Sequence, residues 1–348
     1  MYPNEARIIH TTKEHKIQAI VAMVVTFAIM IAAFWGTYYY FNKRVKIGDT
    51  NFDPTLMNAK IKPQGNTLTG ILIPDAADEN AHKLLAIQLI NIANTNLKND
   101  DSVAYAVNTN TEVMNVPTGG IRYYIKNGNE FFNADYFYVP QGGIASAFAK
   151  AASPEYTNYG YRIYYNLDLN MGYEQKAKEL SFERTRKGYL VFGVDWSDLY
   201  FENKIEDIPA EFSTSEKPYR YYNYDWTEES LLSANVTYNA QDGYYEIIAH
   251  IDCDNEDAIK DGLKVLKEGA GDKDAVYTSI TETVQIWDNG RYKQFNTYDE
   301  WHSPHIHGMR ISADSANDYK TTFYYDDYSL NIANYQYSTE FIKYVKSK

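Results

Sequence analysis

Three times along the chain, a run of alternating aromatic or branched residues meets a short Gly-containing turn and then a second such run. Residues 121–125, Asn127-Gly128 and 131–139 form the first unit. Residues 234–238, Asp242-Gly243 and 244–251 form the second; 281–287, Asp288-Asn289-Gly290 and 291–295 form the third. A fourth pairs 320–325 with 328–337 across Asp326-Asp327. Period-two alternation buries one face of a strand, and Asn-Gly or Asp-Gly supplies the positive φ of a tight hairpin. The expectation is an antiparallel sheet. Residues 156–169 alternate aromatic and polar positions, and 188–194 form a compact β-rich run. A short helix is expected over 172–180, and a crossing loop over 204–218, which holds Pro209, Pro218 and several acids.

Two segments carry the helical period instead. Over 79–97, Ala81, Leu84, Leu85, Leu89, Ile92 and Ala93 recur at three-to-four spacing, interrupted only by Gln88. Over 254–267, Asp254 or Asn255 caps, Gly269 stops, and Ala258, Ile259, Gly262, Leu263 and Leu266 face inward. The units at 121–139 and 281–295 each follow a helix, a faint repeat read as one continuous sheet rather than two subdomains at about 66–203 and 219–348.

Residues 17–41 carry no charge. Twenty-five helical residues extend about 37 Å, enough to cross a bilayer. The end of the run holds Trp35, Tyr38, Tyr39 and Tyr40, followed by Lys43 and Arg44, a pattern suited to a membrane interface. The run is too long for a signal-peptide core and lacks a small-residue cleavage site. The expected organisation is a cytoplasmic head at 1–16, a transmembrane helix at 17–41, a stalk at 42–65 and an extracytoplasmic domain at 66–348. The fold class is accordingly α+β: a single-pass signal-anchor in the cell membrane, then a curved, mainly antiparallel sheet with packing helices. Tyr, Asn and Lys richness without disulfides fits an exported protein of a Gram-positive cell.

The net charge is −13. Residues 1–46 hold six basic and two acidic side chains, so the rest carries −17. Such a body repels phosphate backbones, which excludes nucleic acid as a partner. Cys253 is the one cysteine, so no internal disulfide forms.

Catalytic signatures are sparse. There is no G-x-S-x-G and no serine with a lysine three residues later. Cys253 lies among Asp252, Asp254, Glu256 and Asp257, and carboxylates raise a thiol pKa. Those acids fail the EF-hand pattern, because Asp257 and Leu263 stand where Gly and Glu are needed; they read as helix-capping groups. Gly119-Gly120 and Gly142-Gly143 read as turns, so no cofactor is expected. His302, His305 and His307 are the strongest metal candidates, since His305 and His307 share a strand face. Pro304 sets them in a loop.

The chain has 34 tyrosines among 348 residues. Tyr joins an apolar body to a polar tip and suits recognition surfaces. The expected ligand or partner surface comprises Tyr123, Tyr124, Phe131, Tyr136, Tyr138, Tyr161, Tyr222, Tyr224, Trp226, Trp287 and Trp301.

The strand Thr281-Glu282-Thr283-Val284-Gln285-Ile286, its Asp-Asn-Gly turn and Tyr298-Asp299-Glu300-Trp301, together with the 79–97 helix and 121–132, resemble the LolA/LprG-like lipoprotein carriers in element order. The resemblance implies a half-open barrel able to hold acyl chains, here without the lipidated Cys. The chain is also similar to membrane-anchored cystatin- or NTF2-like subunits of conjugation machines. The expected function is a non-catalytic, membrane-anchored binding or scaffold module with an aromatic sheet face. Its expected partner is a protein or a second copy; a neutral glycan or apolar ligand is also compatible. The alternatives are an acyl-ligand carrier, a secretion or conjugation subunit, and a metal hydrolase using the 302–307 histidines.

Overall fold

The computed structural model describes residues 57–113, 116–138, 159–166, 168, 171–176, 179–184, 190–195, 203–205, 224, 226–305 and 312–332. Eleven strands form one sheet in the order β8-β5-β4-β3-β2-β1-β13-β12-β11-β10-β9, and β6-β7 form a separate pair. The strands are β1 (Ser102–Val113), β2 (Val116–Asn127), β3 (Glu130–Tyr138), β4 (Tyr159–Asn166), β5 (Met171–Lys176), β6 (Glu179–Arg184), β7 (Leu190–Asp195), β8 (Asn203–Ile205), β9 (Leu231–Asn239), β10 (Tyr244–Ile251), β11 (Val276–Trp287), β12 (Tyr292–Ser303) and β13 (Ala313–Tyr324). Every described pairing is antiparallel. Helices are few: α1 (Glu79–Asn99), α2 (Glu256–Ala270) and the single turn α3 (Asp327–Leu330).

The α+β class led by a transmembrane helix is corrected. The fold is a mostly antiparallel sheet with few helices, and among the described residues no helix is long and apolar enough to cross a membrane. The 17–41 stretch and its interface residues Trp35, Tyr38, Tyr39, Tyr40, Lys43 and Arg44 lie outside the described residues. The absence of a membrane-spanning helix among the described residues corrects the membrane, signal-anchor and single-pass expectation. The two halves that resembled a repeat join in one sheet, because β1 pairs with β13 in register from Ala104↔Tyr324 to Val113↔Ser315.

Several local expectations change. The described residues of the helix expected over 172–180 are strand, in β5 and β6. Among the described residues the hairpin expected for 320–325 with 328–337 does not form: β1 and β12 occupy the two edges of β13, and 333–337 lie outside the described residues. The chain instead turns into α3, where the Asp326 side chain accepts from the Ser329 N–H. β1 was not foreseen. Its Asn108-Thr109-Asn110-Thr111 segment lacks an apolar stripe and is held by neighbours on both edges.

Helix α1 packs on β9 with a stripe of His82, Leu85, Ala86, Leu89, Ile90, Ala93 and Leu97. The stripe is rotated from the expected one, leaving Leu84 46% exposed, because the helix also uses polar side chains to fasten itself. At one end, His82 Nδ1 accepts from the Val236 N–H of the edge strand β9 at 3.0 Å. An unpaired edge amide under a helix would otherwise be orphaned. At the other end, Asn96 Nδ2 donates to the Gly290 carbonyl at 2.9 Å, and Asp100 takes a forked contact from Arg291. The described end of the expected stalk is tied down here too: Asn289 donates to the Pro63 carbonyl, and Arg291 donates to the Gln64 carbonyl.

His82→Ala leaves the Val236 N–H without an acceptor and opens a void under α1. We expect a loss of about 2–4 kcal/mol in urea unfolding; an unchanged midpoint would show that β9 does not depend on this cap.

Helix α2 begins at Asn255, whose side chain accepts from the Ala258 N–H, and ends at Gly271 in a left-handed conformation. The stop is thus two residues later than Gly269. Asp252 accepts from the Asp254 N–H, and Glu256 and Asp257 sit in the first turn. The acids serve the helix start, where they complement its dipole.

Candidate functional site

The sheet face under the helices changes character from one end to the other. Beneath α1 it is apolar: Val107, Tyr105, Val284, Ile286, Phe295 and Phe323 are buried and belong to the main core. Further along the same strands, period two keeps the same side chains inward but their chemistry turns polar. Glu282, Thr297, Asp299, Ser315 and Asn317 are all buried. The register sets them side by side: Thr297 opposes Glu282, and Asp299 opposes Asn317.

Glu282 is fully buried. It accepts from the Trp226 indole N–H and, at 3.2 Å, from the Thr297 hydroxyl. Asp299 is also fully buried. Its Oδ1 accepts from Asn317 Nδ2 at 2.6 Å. Its Oδ2 has no hydrogen-bond partner among the described residues, and no described ion pair reaches it. Burial pushes this carboxyl up to about 7, and the Asn317 hydrogen bond only partly opposes that.

A cover lies over these carboxyls. Tyr224 and Tyr277 meet edge to face with centroids 6.1 Å apart. They fit beneath α2 because position 262 is glycine: a Cβ there would stand 2.9 Å from Tyr224 Cε1 and 3.2 Å from both hydroxyls. Burial, the largest cause in each case, raises both phenols above the ordinary value, and Asp299 adds to the effect. Cys253 sits at the edge of this group. Burial first, then Asp252, Asp254 and Asp299, pushes its thiol up to about 11, so it is protonated at neutral pH.

The expected aromatic surface is divided by the sheet. Tyr124, Phe131, Tyr224, Trp226 and Trp301 are buried in the helix-side core. Tyr123 and Tyr136 lie on the opposite face, edge to face at 6.5 Å; Tyr136 is buried and Tyr123 half-buried. Trp287 is buried at the β11–β12 turn, where Lys293 and Tyr244 pack around it. Tyr138 and Tyr161 hold strand positions opposite Gly119 and Asp135. Tyr222 lies outside the described residues. Alternation sends neighbouring rings to opposite faces, so a run dense in tyrosine does not make one patch.

The three histidines are also separated. His302 lies next to the end of β12 and meets Asp314 across the ladder at 2.8 Å. His307 lies outside the described residues. His305 turns back to Asp272 and Asp274, and one ligand atom from each of the three falls within 4.8 Å of the others. This is the described group able to hold a cation, but Asp272 already serves as a hydrogen-bond hub. It accepts from the Asp274 N–H, the Ser303 hydroxyl and the His305 N–H, which hold it below the usual carboxylate range. Asp272→Ala should therefore lower the melting temperature equally with and without a chelator. Protection of the native chain by zinc, lost in this variant, would instead make the trio a metal site.

The buried acids were missed in the sequence. The available signal was an acid at the inward phase of Phe295, Thr297, Asp299 and Trp301. No known protein family matches the chain, and no curated protein matches it.

Proposed function

We propose that the protein is a binding module whose ligand is a small molecule held on the helix-covered, aromatic-rich face of the sheet, with Asp299 as its polar anchor. The supporting observation is the Asp299 carboxyl, wholly buried with one oxygen held by Asn317 and the other unpartnered among the described residues. An unsatisfied buried acceptor costs roughly 1–3 kcal/mol, and more when charged. A donor group on a ligand would complete this oxygen. The surrounding aromatic rings and the few convergent polar groups have the chemistry of a small-molecule site. An interior site also uses the rings where they lie: Trp226, Trp301 and Tyr277 are core residues of this face.

Native mass spectrometry of the full chain, purified without denaturant, is the test. We expect one small molecule per chain, lost when Asp299 is replaced by asparagine. A bare chain mass that no small molecule changes would reject this reading.

A further inference from the structure

The chemistry of the buried face points to the class of ligand, given the binding-module reading above. We propose that the polar end of this face, around the Asp299 carboxyl, is a binding site for an organic ammonium ion that carries at least one N–H.

Four features favour a cation. Two carboxyl side chains, Asp299 and Glu282, are fully buried on one face of adjacent strands. Diagonal neighbours of this kind stand about 7–8 Å apart, so a positive group between them feels both. Asp299 forms no ion pair among the described residues, and buried carboxylates are ordinarily paired. The aromatic rings of Trp226, Tyr224, Tyr277 and Trp301 are buried in the same core, and aromatic faces attract desolvated cations. The chain's net charge of −13 also concentrates cations near its surface.

The N–H requirement comes from Asp299 Oδ2. An acceptor oxygen with open lone pairs is completed by a donor, and a charged donor gives a shorter, stronger bond. A quaternary ammonium offers no such bond, and a carboxylate or phosphate ligand is repelled by both acids. Because Asp299 and Glu282 have no exposed surface, the ligand reaches them only when the cover made by Tyr224 and Tyr277 beneath α2 moves aside. Exchange is therefore slow.

The test uses the full chain and three probes: benzylamine hydrochloride, benzyl alcohol and benzyltrimethylammonium chloride. Binding is read from the indole N–H signals of the tryptophans and by calorimetry. We expect benzylamine to shift the Trp226 signal, and to bind at least tenfold more tightly than either other probe. Asp299→Asn should reduce that affinity at least tenfold while the chain stays folded; Asp299→Leu serves as a second variant. Equal binding of benzyl alcohol overturns the ammonium assignment and leaves the binding-module reading in place. Equal binding of the quaternary probe overturns the N–H requirement. If no probe shifts any indole signal, the inference falls. The binding-module reading falls separately, when native mass spectrometry also finds no small molecule.

Discussion

Asp299→Asn is expected to make the free protein more stable at pH 8, and to remove part of its dependence on pH. The folded carboxyl titrates near 7, against about 3.9 for an unfolded aspartate. Between those values the folded state binds the proton more tightly than the unfolded state. Its contribution to stability is therefore complete below about pH 4 and declines as the pH rises to about 7. The decline amounts to about 4 kcal/mol at most. Asparagine cannot ionise, and it keeps the oxygen that accepts from Asn317. Its new amide N–H lacks an acceptor, which offsets about 1–3 kcal/mol of the gain. The variant should exceed the wild type by about 1–3 kcal/mol at pH 8 and show no excess at pH 4. Urea unfolding at both pH values measures this; parallel curves for the two proteins would remove Asp299 as the origin. A substitution that stabilises the free chain and abolishes binding identifies a residue kept for its ligand.

The second large effect is expected at Gly290, in the turn between β11 and β12. Its φ is +81°, and a Cβ there would stand 2.7 Å from both Ile92 Cγ2 and Asn96 Nδ2 of α1. Gly290→Val combines backbone strain with a wedge under the helix, and we expect a loss of about 3–5 kcal/mol. Gly70→Val is the control. Its φ is +77° with nothing within 4 Å of the added Cβ, so only the strain, about 1–3 kcal/mol, should register there. Equal losses at both positions would show that the contact between α1 and the turn contributes little.

Particular residues explain how far the sequence could be read. Alternation over 244–251 and 281–287 marks β10 and the second half of β11, because each has one face on the core and residue choice follows the face. Asp254 or Asn255 marks the start of α2, because a side-chain cap is a local event, and the structure selects Asn255. The 172–180 segment was misread because Tyr173 and Leu180 sit on different strands, β5 and β6, and share no helical face. Proximity in the chain also misled at the histidines. His302 points across the ladder to Asp314, while His305, three residues on, folds back to the end of α2. The Asp299 site depends on Asn317 from another strand and on the nearby rings of Tyr224 and Tyr277. No local pattern announces such a meeting.

The seam between β1 and β13 has a consequence for assembly. Ala104 pairs with Tyr324, so the centre of the sheet joins opposite ends of the described chain. β1 through β5 form one set of neighbouring hairpins, and β9 through β13 form another. Each set closes mostly through contacts local in sequence, which form early. The seam brings together distant partners and forms last. Until then β1 and β13 are both open edges, each able to accept the other strand from a second molecule. The chain thus has a built-in route to strand exchange between copies during synthesis. Two separately produced halves, divided between β8 and β9, should reconstitute one sheet when mixed.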